Sequence, residues 1–180
     1  MIVEPITDDL ISRLEIFCRE ANELGYTNNA SLKAMKFDWC KENGEYFCTL
    51  KDDRIVAVAG CHECDEIHEG AWRILFRGCE LPGTSPYKGL NKSDWNSITQ
   101  RDFIPAFIDY IPSRDLYIST NISNEHSGKA LRNHRLMSIL ANQKDAYLNY
   151  ICDMELFYTK QTIWQLNINK YLNRRSKLNE

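Results

Sequence analysis

Residues 115–137, DLYISTNISNEHSGKALRNHRLM, gather the groups in this chain best suited to hold and transform a ligand. Leu116, Tyr117 and Ile118 read as a short strand that enters a polar bend from Ser119 to Asn124. A basic helix follows with Lys129, Arg132 and Arg135, and helical spacing sets His134 on the side of Ala130, Met137 and Ala141. A strand that feeds straight into a helix presents free backbone N–H groups and the positive end of the helix dipole. Anionic and strongly polar ligands bind at such ends, although many of these turns are only capped. An imidazole is the side chain suited to proton transfer near neutral pH, so His134 can carry a proton in such a place or sit as a hydrogen-bonded core residue.

A second constellation competes with the first. Cys61-His62-Glu63-Cys64, with His68 and Cys79 downstream, mixes thiolates and imidazoles as structural zinc sites do. No second C-x-x-C or H-x-x-x-H completes the set, and alternation along a strand sends Cys61 and Cys64 to opposite faces. The pair does not lead into a helix, unlike a thioredoxin-like redox motif. No spacing recommends a cysteine nucleophile paired with His62 or His134. The expectation is a chain without a metal.

These groups sit in a chain of 180 residues, long enough for one full hydrophobic core, and a single domain over 1–172 with a polar tail at 173–180 is expected. It is 43% hydrophobic and 26% charged, without an apolar run long enough to cross a membrane. The start, MIVEPITDDL, has no basic region followed by an apolar run, so no secretory signal is expected. Seven scattered cysteines, an odd count, suit reduced thiols in a cytoplasm better than a disulfide framework. The net charge of −3 hides an asymmetry: residues 1–70 hold 7 Lys/Arg against 15 Asp/Glu, and residues 71–180 hold 15 against 10. An acidic front could meet a cationic substrate and a basic back an anionic cofactor, or both are solvated faces. Overall acidity argues against a primary nucleic-acid binder, since phosphate neutralisation supplies most of that affinity.

Thr7 or Asp8 can cap a first helix whose stripe is Leu10, Leu14, Phe17, Ala21 and Leu24, ending before Gly25. A second helix is expected after Asn28-Asn29, with Leu32, Met35 and Trp39 on one side and a stop near Asn43-Gly44. Residues 45–61 then read as a hairpin, EYFCTL and IVAVAGC around the charged turn KDDR. A charged link leads to WRILF, another strand. Residues 77–97 form a long loop rich in Gly, Pro and Ser, of the kind that is often functional. A short helix through FIPAFIDYI follows, with Pro105 tolerable in its first turn. After the strand and helix of 115–137 come YLNYIC, MELFY and TIWQLNI, with a polar turn placed at Thr159-Lys160-Gln161. Trp72, Tyr147, Phe157, Tyr158 and Trp164 lie in apolar runs and read as core, whereas Tyr87 and Trp95 in the loop could wall a substrate site. The fold class is α+β, built on one central mixed, mostly antiparallel sheet flanked by helices.

That layout, with the residues at its bends, resembles the GNAT superfamily of acyl-CoA-dependent N-acyltransferases over nearly the whole chain. Two helices precede a hairpin, and Gly60 stands where the family's third strand often carries a glycine. WRILF takes the place of the fourth strand, which lines the cofactor's pantetheine arm, and LYIST that of the fifth, which splays away to admit it. The family often has an Asn after this strand, a small residue in the next helix and a Tyr four positions on. Here Asn121 or Asn124, then Ala130, then His134 stand at those places. The family's glycine-rich pyrophosphate turn is represented only by Arg77-Gly78-Cys79-Glu80-Leu81-Pro82-Gly83, with some fourteen residues before the helix. A rearranged loop with Lys88, Gly89 and Lys92 is the alternative phosphate holder. The segment STNISNEHSGKALRNHR also resembles uncharacterised bacteriophage proteins.

The resemblance implies acetyl-CoA, or another acyl-CoA, as donor and a small-molecule or peptide amine as acceptor. It places Glu80 as a general base, directly or through a water, and His134 as the acid that protonates the leaving thiolate. Leu75, Phe76, Arg77 and Gly78, whose backbone N–H groups could hold the developing oxyanion, would line the cofactor with Asn121, Asn124 and Lys129. The alternative is a fold of this kind that has lost catalysis and serves as a binding or interaction module.

Overall fold

The computed structural model describes residues 3–23, 30–75, 102–112, 115–122 and 129–178. In chain order these form β1 (Val3–Pro5), a 3-10 turn (Asp8–Leu10), α1 (Ile11–Glu23), α2 (Phe37–Asn43), β2 (Gly44–Lys51), β3 (Arg54–Glu63) and β4 (Trp72–Leu75). There follow α3 (Ile104–Tyr110), β5 (Leu116–Asn121), α4 (Lys129–Ala141), β6 (Leu148–Leu156), β7 (Thr159–Leu166) and α5 (Ile168–Leu178). The strands form a seven-stranded mixed sheet in the order β1-β2-β3-β4-β5-β7-β6. Only β4 and β5 run parallel among the pairs described; β1–β2, β2–β3, β5–β7 and β6–β7 are antiparallel. Contacts divide the chain into two compact units, one of residues 1–62 and 75–110 and one of 63–74 and 111–180.

In the first unit the apolar stripe of α1 does what its spacing foretold: Leu14, Phe17, Cys18 and Ala21 are buried. They share a core with Phe37 and Cys40 of α2 and with Tyr46, Cys48, Ile55 and Val58 of the hairpin. The Tyr46 hydroxyl donates to the Met35 carbonyl at 2.5 Å, and its ring stacks on Phe37 with centroids 5.4 Å apart. The other face of β2 is covered by α3, where Phe107 and Tyr110 each meet Phe47 edge to face at 5.5 Å. Pro105 does sit in the first turn of α3. The expected single helix after Asn29 is instead a turn followed by a helix. Lys36 takes a left-handed conformation, φ 53°, and α2 begins only at Phe37. The Leu32 carbonyl is already used by Phe37 N–H, five residues on, so the chain reverses before it coils again.

The second unit holds β4–β5–β7–β6, with α4 packed on β5 and β6. Its smaller core joins Cys64, Ala71, Tyr117, Leu156 and Ile163. Two hairpin turns use left-handed residues in pairs: Asp52-Asp53 at φ 50° and 63°, and Phe157-Tyr158 at φ 50° and 62°. The first is a turn the sequence announces, because short polar side chains tolerate this region. The second is not, and so the turn falls at Phe157-Tyr158 rather than at Thr159–Gln161, which belongs to β7. Tyr158, in an apolar run, is consequently 96% exposed. Residues 168–178 form α5, where the sequence read as strand end and polar tail.

Cys18, Cys40, Cys48, Cys61 and Cys64 are free thiols with almost no surface exposed. Burial pushes the Cys48 thiol from its ordinary 9.0 up to about 12, with Glu4 adding to the rise. Burial likewise pushes Cys64 up to about 12, against the pull of Arg73. The folded chain therefore holds these protons more tightly than the unfolded chain. That stability is whole below about pH 9 and drains away as the pH climbs toward about 12. Urea midpoints should be unchanged between about pH 7 and 8 and clearly lower at about pH 10.5. A midpoint as high at the alkaline end would mean the thiols are reached by water in the folded state.

Candidate active site

Within the second unit, β4 and β5 are joined by three parallel pairs, Trp72↔Leu116, Arg73↔Tyr117 and Ile74↔Ile118. Trp72 N–H bonds the Asp115 carbonyl at 2.9 Å just below the first of them. Among the described residues the β4 ladder stops at Ile74↔Ile118, but β5 continues to Asn121. There its partners are on β7: Ser119↔Ile163, Thr120↔Thr162 and Asn121↔Gln161.

Alternation on β5 sorts its side chains onto two faces. Thr120 faces α4 and is 5% exposed. Its Oγ1 accepts the Trp164 indole N–H at 2.9 Å and lies 3.3 Å from His134 Nδ1. The His134 ring sits over Trp164 with centroids 5.9 Å apart and planes tilted by 51°. An indole nitrogen can only donate, so the Thr120 oxygen accepts there, and its hydrogen and second lone pair both remain to meet Nδ1. Nε2 is the His134 nitrogen not engaged with Thr120. The contact holds the half-buried ring at Nδ1. The buried Trp164 thus has a polar partner as well as a place in the core.

The opposite face carries Arg73, Tyr117 and Ser119. Arg73 is 8% exposed; its Nε donates to Ser119 Oγ at 2.8 Å, and its guanidinium lies 5.2 Å from the centre of the Phe157 ring. Beside it, His68 Nδ1 is 2.8 Å from the Glu69 carbonyl, which can only accept. His68 Nε2 is then the acceptor for the Tyr117 hydroxyl at 2.8 Å. Burial, with Asp115 nearby, holds the Tyr117 phenol above its ordinary value. This face is a satisfied polar network around a buried cation.

Of the residues singled out in the sequence, Leu75 ends β4, Asn121 ends β5, Lys129 opens α4 and His134 lies in α4. His134 meets the end of β5 through Thr120. Phe76, Arg77, Gly78, Glu80 and Asn124 lie outside the described residues, as do Cys79, Gly83, Tyr87, Lys88, Gly89, Lys92 and Trp95. Thr120, Trp164, Ser119 and Arg73 were not singled out. The one signal available was chemical: a buried tryptophan needs an acceptor, and a buried arginine needs partners. Of the cysteine constellation, Cys61 is buried in the first unit and Cys64 in the core of the second. Among the described residues no group of three or more His, Cys, Asp or Glu side chains is placed to hold a metal ion.

No protein-family profile matches the sequence, and no curated protein matches it. Solved structures do match the fold along most of the chain. A putative acetyltransferase of the GNAT family from Desulfovibrio desulfuricans is 10% identical with a TM-score of 0.53, over 91% of this chain and 96% of that one. A chimera of the Vibrio cholerae spermidine N-acetyltransferase SpeG with hSSAT is 11% identical with a TM-score of 0.53, over 96% and 99%. A ribosomal-protein-alanine N-acetyltransferase from Brucella melitensis is 9% identical with a TM-score of 0.53, over 92% and 98%. The chain has the α+β fold of GNAT acetyltransferases, as its layout led one to expect.

Proposed function

We propose that this chain is an acyl-CoA-dependent N-acyltransferase that moves an acetyl group from acetyl-CoA to a small-molecule or peptidic amine. The observation that supports the reading is the polar end of β5, next to the parallel β4–β5 pair, where Thr120 meets His134 within the GNAT acetyltransferase fold. An extended thioester arm carries amides of its own that can pair with a strand. When bound, acetyl-CoA supplies an activated carbonyl and a leaving thiolate. The amine nitrogen bonds to that carbonyl carbon, the carbon–sulfur bond breaks, and the nitrogen gives up a proton. In this reading Glu80 takes that proton and protonated His134 delivers one from Nε2 to the sulfur. Leu75, Phe76, Arg77, Gly78, Asn121, Asn124 and Lys129 line the donor. The setting is cytoplasmic, in keeping with the free thiols.

Acetyl-CoA at about 100 times its dissociation constant should stabilise the folded chain by about 2.7 kcal/mol, raising Tm by about 5–10 °C. Thiol release should follow when spermidine or an N-terminal peptide amine is added. No shift at millimolar acetyl-CoA sinks the proposal. A shift without thiol release across a broad amine panel favours the second reading, a catalytically silent binding module, which the altered glycine turn supports.

A further inference from the structure

The second unit carries a groove of about 440 Å³ lined by Gln143, Lys144, Asp145, Lys170, Asn173, Arg174 and Lys177. Its walls are the link between α4 and β6 and one side of α5. Lys170, Arg174 and Lys177 recur at i, i+4 and i+7, so one helix face carries three cations, and Lys144 adds a fourth across the groove. Asp145 is the one acid in the lining. No described carboxylate makes a salt bridge with any of the four cations.

Helix stability does not account for this stripe. Cations near a helix C-terminus complement its dipole, which covers Lys177, but Lys170 stands in the first turn, where a positive charge is disfavoured. The first turn is already capped by Asn167, whose Oδ1 accepts the Lys170 N–H at 3.0 Å. Arg174 is also held ready. Its Nη1 donates to Gln143 Oε1 at 3.0 Å, and its guanidinium lies 5.5 Å from the centre of the half-wall ring of Tyr147, itself buried. A guanidinium fixed in this way loses little freedom on meeting a phosphate, and its fork matches phosphate oxygens.

The groove lies away from the proposed acyl-donor site. Tyr117 pairs with Gln165, and Leu148 with Leu166, at one end of the strands; Asn121 pairs with Gln161 at the other. The lining residues directly precede β6 and follow β7, so they belong to the Leu148–Leu166 end. Four residue steps of β5, about 13 Å, separate the two ends of its pairing with β7.

We propose that this groove is a second site, one that binds a linear polyphosphate, free or as the phosphate chain of a nucleotide. The volume suits a small molecule rather than a surface smear. The stripe spans seven residue steps of helix, about 10 Å, too short to follow a nucleic-acid backbone over several phosphates. Gln143, Asn173 and Asp145 offer the groove polar partners for a sugar or base.

The test is titration of the full chain with ATP and, separately, with inorganic tripolyphosphate at physiological salt. Saturable one-to-one binding is expected. It should weaken at least tenfold in the Lys170→Gln, Lys177→Gln double variant, which leaves the Arg174 packing intact, and further when Arg174→Gln is added. Tighter binding of ATP than tripolyphosphate assigns the nucleotide form; equal binding assigns the bare polyphosphate. The proposal is overturned if neither probe binds at millimolar concentration or if the variants bind as the parent does. It is also overturned if a single-stranded oligonucleotide binds more tightly than ATP. Competitive displacement of ATP by acetyl-CoA overturns it as well, since the groove would then serve the donor's own phosphates. The acetyl-CoA response of the double variant should match the parent's, so this proposal and the acyltransferase reading fail independently.

Discussion

Replacing His134 with Ala should lower kcat for acetyl transfer by about 100-fold, the usual scale for a positioned acid or base. The KM for acetyl-CoA should change little, because the ring touches the strand end through Thr120 rather than forming the edge itself. The Trp164–Thr120 bond survives the substitution, so the fold should hold, which circular dichroism checks. His134→Tyr is the informative partner variant. A phenol also carries a transferable proton, and the resembling family places a Tyr at this position, so most of the lost rate should return. His134→Phe keeps the ring without the proton and should behave like Ala. Wild-type kcat in the Ala variant would make His134 a packing residue and leave the proton to another group.

Thr120 is a positioning residue in this scheme. Its hydroxyl accepts from the Trp164 indole and meets His134 at Nδ1, and that fixes which histidine nitrogen is turned away from the strand. The device would be invisible to any scheme that looks only for acids, bases and nucleophiles. It depends on a cross-strand register that brings Thr120 beside Trp164, forty-four residues away in sequence, and on α4 returning over both.

This separates what was legible from what was not. Elements with strong local signals were legible: the α1 stripe, the Asp52-Asp53 turn and Pro105 in the first turn of α3 all stand where their side chains ask to be. Failures came where tertiary packing overrode local preference. Phe157 and Tyr158 adopt a left-handed pair of conformations that aromatic residues rarely visit, because β6 and β7 must meet in register on either side. Lys36 is left-handed within a stretch whose apolar spacing alone suggests a continuous helix. α5 was hidden because Lys170, Asn173, Arg174 and Lys177 are polar on the side that faces the groove. In the candidate site, His134 was legible from its type and its place after a strand. Thr120 and Arg73 were not, because their value lies in partners that only the sheet supplies.

Gly44 illustrates the same point through stability, and Gly44→Ala should be among the most damaging small substitutions in the chain. In the sequence, Asn43-Gly44 reads as a helix stop. In the structure Gly44 has φ 179°, extended backbone open to any residue, so conformation is not what demands glycine. Space is. A Cβ at this position would lie 2.1 Å from the Cys61 carbonyl oxygen and 2.5 Å from His62 Cα, both backbone atoms of the paired strand. To admit a methyl group β2 must move off β3 at its first pair, Gly44↔His62, from which the register runs to Tyr46↔Gly60. Gly60 has little slack to share, since a Cβ there would already stand 3.1 Å from both Cys40 Sγ and the Tyr46 ring. The cost should be about 3 kcal/mol, the upper range for overpacking, or a fall in Tm of roughly 6–12 °C. Gly70→Ala is the control. Its φ of +78° disfavours a side chain, but nothing lies within 4 Å of the added carbon, so it should cost only about 1 kcal/mol. Equal losses in the two variants would show that backbone conformation, not the approach of β3, governs both positions.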